Sequence, residues 1–115
     1  MKKIAITGSN GVIGEILMTG LKSKYKLLGL NHSNCDVANY SELLKQTQSC
    51  DIIIHLAWDT KRENCNNKKY LKKNTTMYEN VYKVALKNGV KRVILASSVH
   101  ADNFIKWNEK KINEC

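Results

Sequence analysis

A strand-like run leads straight into three glycines near the start of the chain, and this feature restricts the possible folds most. Residues 4–7 are mostly apolar and mostly β-branched, Gly8, Gly11 and Gly14 follow, and residues 13–21 repeat apolar side chains at helical spacing. A strand that turns through glycines into a helix gathers unpaired backbone N–H groups and the positive end of a helix dipole. Such a turn can bind a pyrophosphate, and the alternative interpretation is a tight turn without a ligand.

Apolar runs that suit buried strands alternate with helical patterns along the whole chain. The runs are 3–7, 26–31, 51–57 and 92–97. They are almost continuous in Val, Ile, Leu and Ala, which is typical of strands buried on both faces of a parallel sheet. One helix is predicted to start at Asn39, with Glu42 completing a capping box, and a longer one to stop at Gly89. We therefore predict an α/β fold, a doubly wound parallel sheet of about four strands in the order 3-2-1-4, with ligands at the carboxyl ends of the strands.

Composition indicates one ordinary globular domain, 1–115, in the cytoplasm. The chain has 115 residues, 43% of them hydrophobic. No apolar run is long enough to cross a bilayer or to form a signal-peptide core. The four cysteines, Cys35, Cys50, Cys65 and Cys115, form no C-x-x-C pair. We expect reduced thiols, with no metal site and no disulfide.

The net charge of +9 lies mainly in the second half of the chain, where residues 61–115 carry 13 basic and 5 acidic side chains. Aromatic residues are not interleaved with these charges as they are in proteins that bind single-stranded nucleic acid. A solvated helix face is therefore the favoured interpretation, and contact with nucleic acid is the less favoured alternative.

Several segments together carry a resemblance to a known family. They are TGSNGVIG at 7–14, CDV at 35–37, HLA at 55–57, the helix with Asn74, Asn80 and Val81, and GVKRVILASS at 89–98. In this order and at this spacing the chain resembles the N-terminal part of an extended short-chain dehydrogenase/reductase, in the NAD-dependent epimerase/dehydratase family. The resemblance implies a Rossmann-like domain with NAD or NADP as cofactor. It also implies a sugar or uronate oxidoreductase, or a nucleotide-sugar epimerase or dehydratase.

The same resemblance implies roles for individual residues. Cofactor contacts would come from Gly8, Ser9, Asn10, Gly11, Val12, Ile13, Gly14, Asn31, Asp36, Val37, Leu56, Ala57, Trp58 and Asn74. Asp36 would accept a hydrogen bond from the adenine amine, or else shape the turn before a helix. Asn74 would contact the cofactor or clamp the backbone. His55, inside an apolar run, is interpreted as a core histidine and not as a base.

The reaction chemistry is less complete than the cofactor site. Ser98 aligns with the family serine that orients the reacting hydroxyl or carbonyl, and the alternative is a strand-end serine bonded to backbone. Val99 and His100 would line the substrate pocket, although His100 also suits an exposed position. The family's Tyr-x-x-x-Lys pair is absent, because no tyrosine has a lysine four residues later. Without that pair, nothing takes up a proton at Ser98.

The residue after the second apolar run also departs from the family pattern. Asn31 stands where an enzyme that uses NAD places an acidic residue for the ribose hydroxyls. No arginine lies beside it, so the sequence leaves the choice between NAD and NADP open.

The leading hypothesis is therefore an incomplete NAD(P)-binding domain with a tail, 99–115, whose structure the pattern does not define. Whether this chain is itself an enzyme stays open, and the alternative is a non-catalytic module that senses or binds NAD(P). The expected partners are the dinucleotide and, in a completed protein, a small sugar-type substrate, but not a membrane. The fourth strand is expected to be an apolar edge that favours self-association.

Overall fold

Strands and helices alternate along the chain in the computed structural model, which describes residues 1–58 and 68–96, with the backbone alone at 68–71. The elements are β1 (Lys3–Thr7), α1 (Val12–Leu21), β2 (Lys26–Leu30), α2 (Tyr40–Gln46), β3 (Ile52–His55), α3 (Lys68–Asn88) and β4 (Arg92–Leu95). Each strand lies within one of the apolar runs, so the alternation predicted from the sequence is confirmed.

The strands form a parallel sheet in the order β2-β1-β3-β4. Ile4 of β1 pairs with Leu27 on one side and with Ile52 on the other. The doubly wound α/β fold is confirmed, but β3 lies beside β1, whereas the predicted order 3-2-1-4 places it outside β2. Handedness determines the face on which a crossover runs and not the edge that the next strand joins, and here the chain returns across β1. This reversal opens a crevice between the carboxyl ends of β1 and β3.

The core has two layers because successive residues of each strand point to opposite faces of the sheet. On one face Ile4, Ile6 and Ile54 pack against α1 through Leu17, Met18 and Leu21. On the other face Ala5 and Ile53 pack against α2 and α3 through Leu43, Val81 and Val84. The strands are therefore covered on both faces, which explains their almost continuous apolar sequence.

The apolar stripe of α1 is wider than the face that the sheet buries. Gly14 is buried and Leu17 half-buried, but Ile13 and Ile16 are 60% and 64% exposed. The helical spacing in the sequence groups Ile13, Ile16 and Leu17 on one face. The helix turns Gly14 toward the loop that precedes it, which carries Ile13 and Ile16 to its flank, where no described residue buries them.

Strand β4 forms one edge of the described sheet, next to β3. Its Ile94 is 44% exposed on the side of the sheet that carries α1. The self-association predicted for this edge stays a prediction.

Side-chain amides define the ends of α2 and α3. Asn39 caps α2 as the sequence predicts, its Oδ1 accepting from the Glu42 backbone N–H at 3.2 Å. The predicted return bond of the capping box is not formed, because the Asn39 N–H donates to Asp36 O and the Glu42 carboxylate accepts from the Asp36 N–H. Gly89, at φ +68°, ends α3, and the Asn88 amide donates to Leu44 O, which ties α3 to α2. Within residues 1–58 and 68–96, no helix has the length and apolar character needed to span a membrane.

Candidate functional site

The glycine turn between β1 and α1 is folded tightly against the end of β3. Gly8 has a φ of +69°, and the Gly11 N–H donates to its carbonyl at 3.0 Å. A Cβ at Gly8 would lie 2.9 Å from the backbone nitrogen of Ala57, so the site has no room for a side chain. The turn therefore requires glycine at position 8 for conformation and for space.

The other two glycines of the turn have different surroundings. A Cβ at Gly14 would lie 2.8 Å from the carbonyl carbon of Ser9 and would collide with the Gly8 carbonyl oxygen. Gly11 is exposed, has an extended backbone with φ −72°, and its Cβ would meet only the Gly8 oxygen at 3.3 Å. Packing within the protein thus explains Gly14, whereas Gly11 leaves the backbone open from outside.

Gly11 is also the N-cap residue of α1, and no side chain of the described residues caps this helix. The first N–H groups of an α-helix have no partner within the helix. They remain available to an anion at the positive end of the helix dipole. The turn can therefore hold a phosphate by its backbone.

A cavity of about 450 Å³ opens beside this turn, at the carboxyl ends of β1, β2 and β3. The predicted cofactor residues that line it are Gly8, Asn10, Gly11, Asn31, Asp36, Val37, Leu56, Ala57 and Trp58. The structure thus brings residues from distant parts of the sequence to one concave surface.

Five predicted cofactor residues do not line this cavity. Ser9 is buried behind the turn, facing Gly29, and Gly14 is covered by the turn itself. Val12 and Ile13 lie in the first turn of α1 with exposed side chains, so their backbone N–H groups are what they offer a ligand. Asn74 is 2% exposed on the inner side of α3. Ser98, Val99 and His100, the tail 99–115, Cys65 and Cys115 lie outside the described residues.

Sequence reasoning missed several residues of the cavity wall. They are Leu30, His32, Ser33, Cys35, Lys73 and Met77. His32 and Ser33 directly follow Asn31, so extending the strand end by one turn would have found them. Leu30, Cys35 and Met77 have the composition of core residues, and nothing in the sequence separates a core residue from one at a cavity wall.

Hydrogen bonds hold the turn after β2 in a defined shape. Asn31 Oδ1 accepts from the Ser33 N–H at 2.8 Å, and Asn34 Oδ1 accepts from the Asn31 N–H at 2.8 Å. The Asn34 amide donates to Gly29 O at 2.9 Å. The Asn31–Ser33 bond forms an Asx turn, in which an amide side chain replaces a backbone acceptor, and the two bonds of Asn34 close the loop around it.

Asp36 shapes the turn before α2, which is one of the two interpretations of its sequence position, and it also lies at the cavity wall. Its Oδ1 accepts from the Ala38 N–H at 3.0 Å, and its own N–H donates to the Glu42 carboxylate. The side chain is exposed at the cavity wall. Its second carboxylate oxygen has no partner among the described residues and can accept from a ligand.

A hydrogen-bond network centred on Thr7 joins β1 to β3 beneath the cavity. Thr7 Oγ1 lies 3.0 Å from the Leu56 nitrogen, 3.1 Å from the Ala57 nitrogen and 2.7 Å from His55 Nδ1. A hydroxyl has two acceptor sites and one hydrogen. Because both N–H groups use the acceptor sites, the hydroxyl hydrogen points at His55 Nδ1. The His55 proton is therefore on Nε2.

His55 occupies a core position, as the sequence predicts, but its hydrogen bonding is incomplete. It is 2% exposed, and its ring meets that of Tyr78 edge-on at 5.0 Å. Its buried Nε2 has no hydrogen-bond partner among the described residues. Burial lowers the pKa of His55 from 6.5 to about 4. The ring is thus neutral near pH 7. It is a poor proton acceptor, because the Thr7 hydroxyl already donates to Nδ1.

Acid is expected to destabilise the fold through His55. The unfolded chain binds a proton at this residue below pH 6.5, whereas the folded chain does so only near pH 4. The unfolding free energy therefore falls as pH drops through this window, by about 3 kcal/mol. Urea denaturation at about pH 7 and about pH 4.5 measures the loss.

Two variants separate His55 from the other titrating groups. In His55→Gln, whose amide can still accept from Thr7, we expect the loss in acid to be smaller than in the parent chain. In His32→Gln, which replaces an exposed histidine, we expect the loss to be unchanged. Equal pH dependence in all three proteins would contradict the assignment.

The two cysteines of the described region are free thiols. Cys35 and Cys50 are both buried. Burial, and then the nearby Glu42 and Asp36 carboxylates, raise the pKa of Cys35 to about 11. Although Cys35 reaches the cavity wall, it remains protonated near neutral pH and is not a nucleophile.

Positive charge near the cavity comes from α3. Lys73 lines the cavity, and Lys72, Lys83 and Lys87 are exposed on the same helix. This arrangement agrees with the predicted solvated helix face. Among the described residues no group of three or more His, Cys, Asp or Glu side chains is placed to hold a metal ion.

Comparison with known proteins gives a consistent picture. The model of the NAD dependent epimerase/dehydratase family matches residues 4–102. An uncharacterized protein of Bacillus subtilis (strain 168), YtbQ, is 33% identical over 114 residues, which cover 87% of this chain and 45% of that protein. A uronate dehydrogenase of Pseudomonas putida is 27% identical over 122 residues, covering 94% of this chain and 45% of that enzyme. The chain thus spans about half the length of these curated relatives.

Among solved structures, a dTDP-4-dehydrorhamnose reductase from Bacillus anthracis, in complex with NADP, superposes with a TM-score of 0.68. It is 27% identical, and the match covers 80% of this chain and 35% of that one. The family match begins in β1 and runs through every described element of the sheet. The chain therefore belongs to the NAD-dependent epimerase/dehydratase family.

Proposed function

We propose that this chain binds NAD or NADP in the cavity beside the glycine turn. The observation that carries the proposal is the contrast between Gly14, which the protein's own packing requires, and Gly11, which it does not. A bare backbone at an uncapped helix N-terminus, facing a cavity, is what a pyrophosphate needs for close approach. Family membership supports a dinucleotide as the ligand.

In the proposed complex, each part of the cavity contacts a different part of the dinucleotide. The pyrophosphate lies at Gly11 and the first turn of α1, where N–H groups are available. The adenosine extends toward Asn31, Asp36 and Val37, where the second carboxylate oxygen of Asp36 accepts from the adenine amine. The nicotinamide half lies toward Ala57 and Trp58 at the end of β3.

We further propose that the 115-residue chain binds the cofactor without completing a reaction on its own. The sequence has Ser98 as a candidate to orient a sugar-type substrate, with Val99 and His100 beside it, but no Tyr-x-x-x-Lys pair. A tyrosine with a lowered pKa is the base on which this chemistry depends. The uronate dehydrogenase and dTDP-4-dehydrorhamnose reductase relatives suggest sugar or nucleotide-sugar oxidoreduction for the complete protein.

A non-catalytic module that senses or binds NAD(P) is the second candidate, favoured by the same missing pair. Assays with uronates and nucleotide sugars, followed by the absorbance of reduced cofactor, test the catalytic part of the proposal. We expect binding and no turnover. Steady reduction of NAD or NADP by this chain would contradict the catalytic incompleteness while leaving the binding site intact.

Gly11→Val is expected to abolish binding of NADH and NADPH. The new side chain occupies the space through which the pyrophosphate approaches the backbone. The backbone at this position is extended, and the Gly8 carbonyl oxygen at 3.3 Å is the one described atom within 4 Å of the new Cβ, so the fold loses about 1 kcal/mol, mainly from the poorer N-cap. Isothermal titration calorimetry, together with quenching of Trp58 fluorescence, measures the binding.

Gly20→Ala is the matched control for that variant. Gly20 lies in α1 too, and a Cβ there meets nothing within 4 Å. We expect unchanged affinity for both dinucleotides in Gly20→Ala. Unchanged affinity in a folded Gly11→Val protein would contradict the proposed phosphate site.

A further inference from the structure

The turn after β2 presents hydrogen-bond donors where the adenosine ribose would lie. The atom of Asn31 that lies 2.8 Å from the Ser33 nitrogen must be the oxygen, because a backbone N–H can only donate. The oxygen of this side chain is therefore turned back to its own chain. Its Nδ2 group, which can only donate, is left without a partner among the described residues at the wall of the cavity.

The two residues that follow Asn31 add further donors and carry no carboxylate. The Ser33 hydroxyl and the His32 ring, both exposed, line the same part of the cavity. Two carboxylates lie in the surroundings. Asp36 lines the same cavity, and Glu15 lines a separate hollow that Asn10 and Asn31 also line.

We propose that this turn admits a 2′-phosphate, and that the chain binds NADPH at least as tightly as NADH. The inference rests on the proposed function of the cavity. A site for NAD usually holds the ribose with a carboxylate, which accepts from the hydroxyls and repels a 2′-phosphate. Here the acceptor is missing and donors face the 2′ position, so NAD loses its usual contact and NADP gains charge-assisted hydrogen bonds.

Asn31→Asp replaces the one donor group of this side chain with a negatively charged acceptor. An aspartate oxygen can still accept from the Ser33 N–H, so the Asx turn is retained. The second oxygen replaces Nδ2 and presents a negative acceptor to the ribose. We expect the ratio of the NADPH to the NADH dissociation constant to rise by about tenfold or more, since tenfold corresponds to 1.4 kcal/mol of added repulsion and lost bonds.

The experiment is calorimetric titration of the full 115-residue chain with NADPH and with NADH, repeated for Asn31→Asp and for Gln48→Glu. Gln48 is exposed before β3, so its variant makes the same change in net charge away from the cavity. We expect Gln48→Glu to keep the parent ratio, which separates a local effect from a change in overall charge.

The outcomes separate this inference from the function on which it rests. Tighter binding of NADH than of NADPH by the parent chain overturns the inference and leaves the dinucleotide site standing. The inference is also overturned if Asn31→Asp leaves the ratio of the NADPH to the NADH dissociation constant at the parent value. The same holds if Asn31→Asp and Gln48→Glu change that ratio equally. Binding of neither dinucleotide refutes the proposed function and the inference with it.

Discussion

Gly14→Ala is expected to destabilise the chain strongly, although it adds only one methyl group to the glycine turn. The new Cβ would sit 2.8 Å from the Ser9 carbonyl carbon and closer still to the Gly8 carbonyl oxygen. Both neighbours are backbone, held by the Gly11 N–H and by the bond from Ser9 N–H to Leu30 O. Because the colliding atoms belong to the backbone, no flexible side chain can move aside to make room. Helix α1 must therefore move away from β1.

Separation at Gly14 would loosen the packing of α1 on the sheet. Leu17 and Met18 follow on the same side of the helix and fill the space over Ile4 and Ile6. Overpacking in a rigid core costs about 3 kcal/mol, a large fraction of the stability of a small domain. Chemical denaturation followed by far-ultraviolet circular dichroism measures the loss.

Gly20→Ala supplies the contrast within the same helix. Since its Cβ enters open space, the substitution should stabilise the chain by about 0.5 kcal/mol through the lower entropy of the unfolded state. A Gly14→Ala protein as stable as Gly20→Ala would contradict the close packing of the turn. Gly11→Val should fall between the two in stability while losing dinucleotide binding, which separates packing from ligand approach.

The sheet could be predicted from sequence because burial on both faces leaves a strong signal. Residues 52–55 and 92–95 have almost no polar interruption, and each became a strand. The strand order could not be predicted in the same way. A parallel strand that follows β2 satisfies the handedness rule on either side of β1, so that rule leaves two strand orders open.

For the candidate site, the sequence was informative wherever backbone geometry demands a particular residue. Gly8 needs a positive φ, Asn39 caps a helix and Gly89 ends one, and each requirement is met by few residue types. Where the backbone conformation admits most residue types, a side-chain contact leaves no such signal in the sequence. Lys73 reaches the cavity from α3 because of where the helix lies, and no local pattern distinguishes it from its exposed neighbour Lys72.

The orientation of Asn31 lay beyond the sequence for a related reason. An asparagine offers an acceptor or a donor according to which way its amide is turned, and the Ser33 N–H determines that. The hydrogen bond forms only once the turn is folded. Residue type alone does not tell whether the oxygen or the nitrogen of Asn31 faces the ribose. It therefore does not predict whether the ribose carries a 2′-hydroxyl or a 2′-phosphate.

Thr7→Val is expected to be the most damaging change that preserves side-chain shape. Valine replaces the hydroxyl with a methyl group and removes the acceptor that Ala57 N–H uses at 3.1 Å, and the donor that His55 Nδ1 uses at 2.7 Å. Leu56 N–H keeps a second acceptor, the Thr7 carbonyl oxygen at 3.2 Å. Two polar groups are left unsatisfied beneath the cavity, at about 1–3 kcal/mol each.

The expected loss of about 3 kcal/mol, or more, should appear in urea denaturation and should be absent in Thr75→Val, where the hydroxyl is exposed on α3. Thr7→Ser keeps the hydroxyl and should recover most of the loss, which separates hydrogen bonding from packing. If Thr7→Val were as stable as Thr75→Val, the network would not hold β1 to β3. The position of Ala57 against the glycine turn would then depend on the close contact with Gly8 alone.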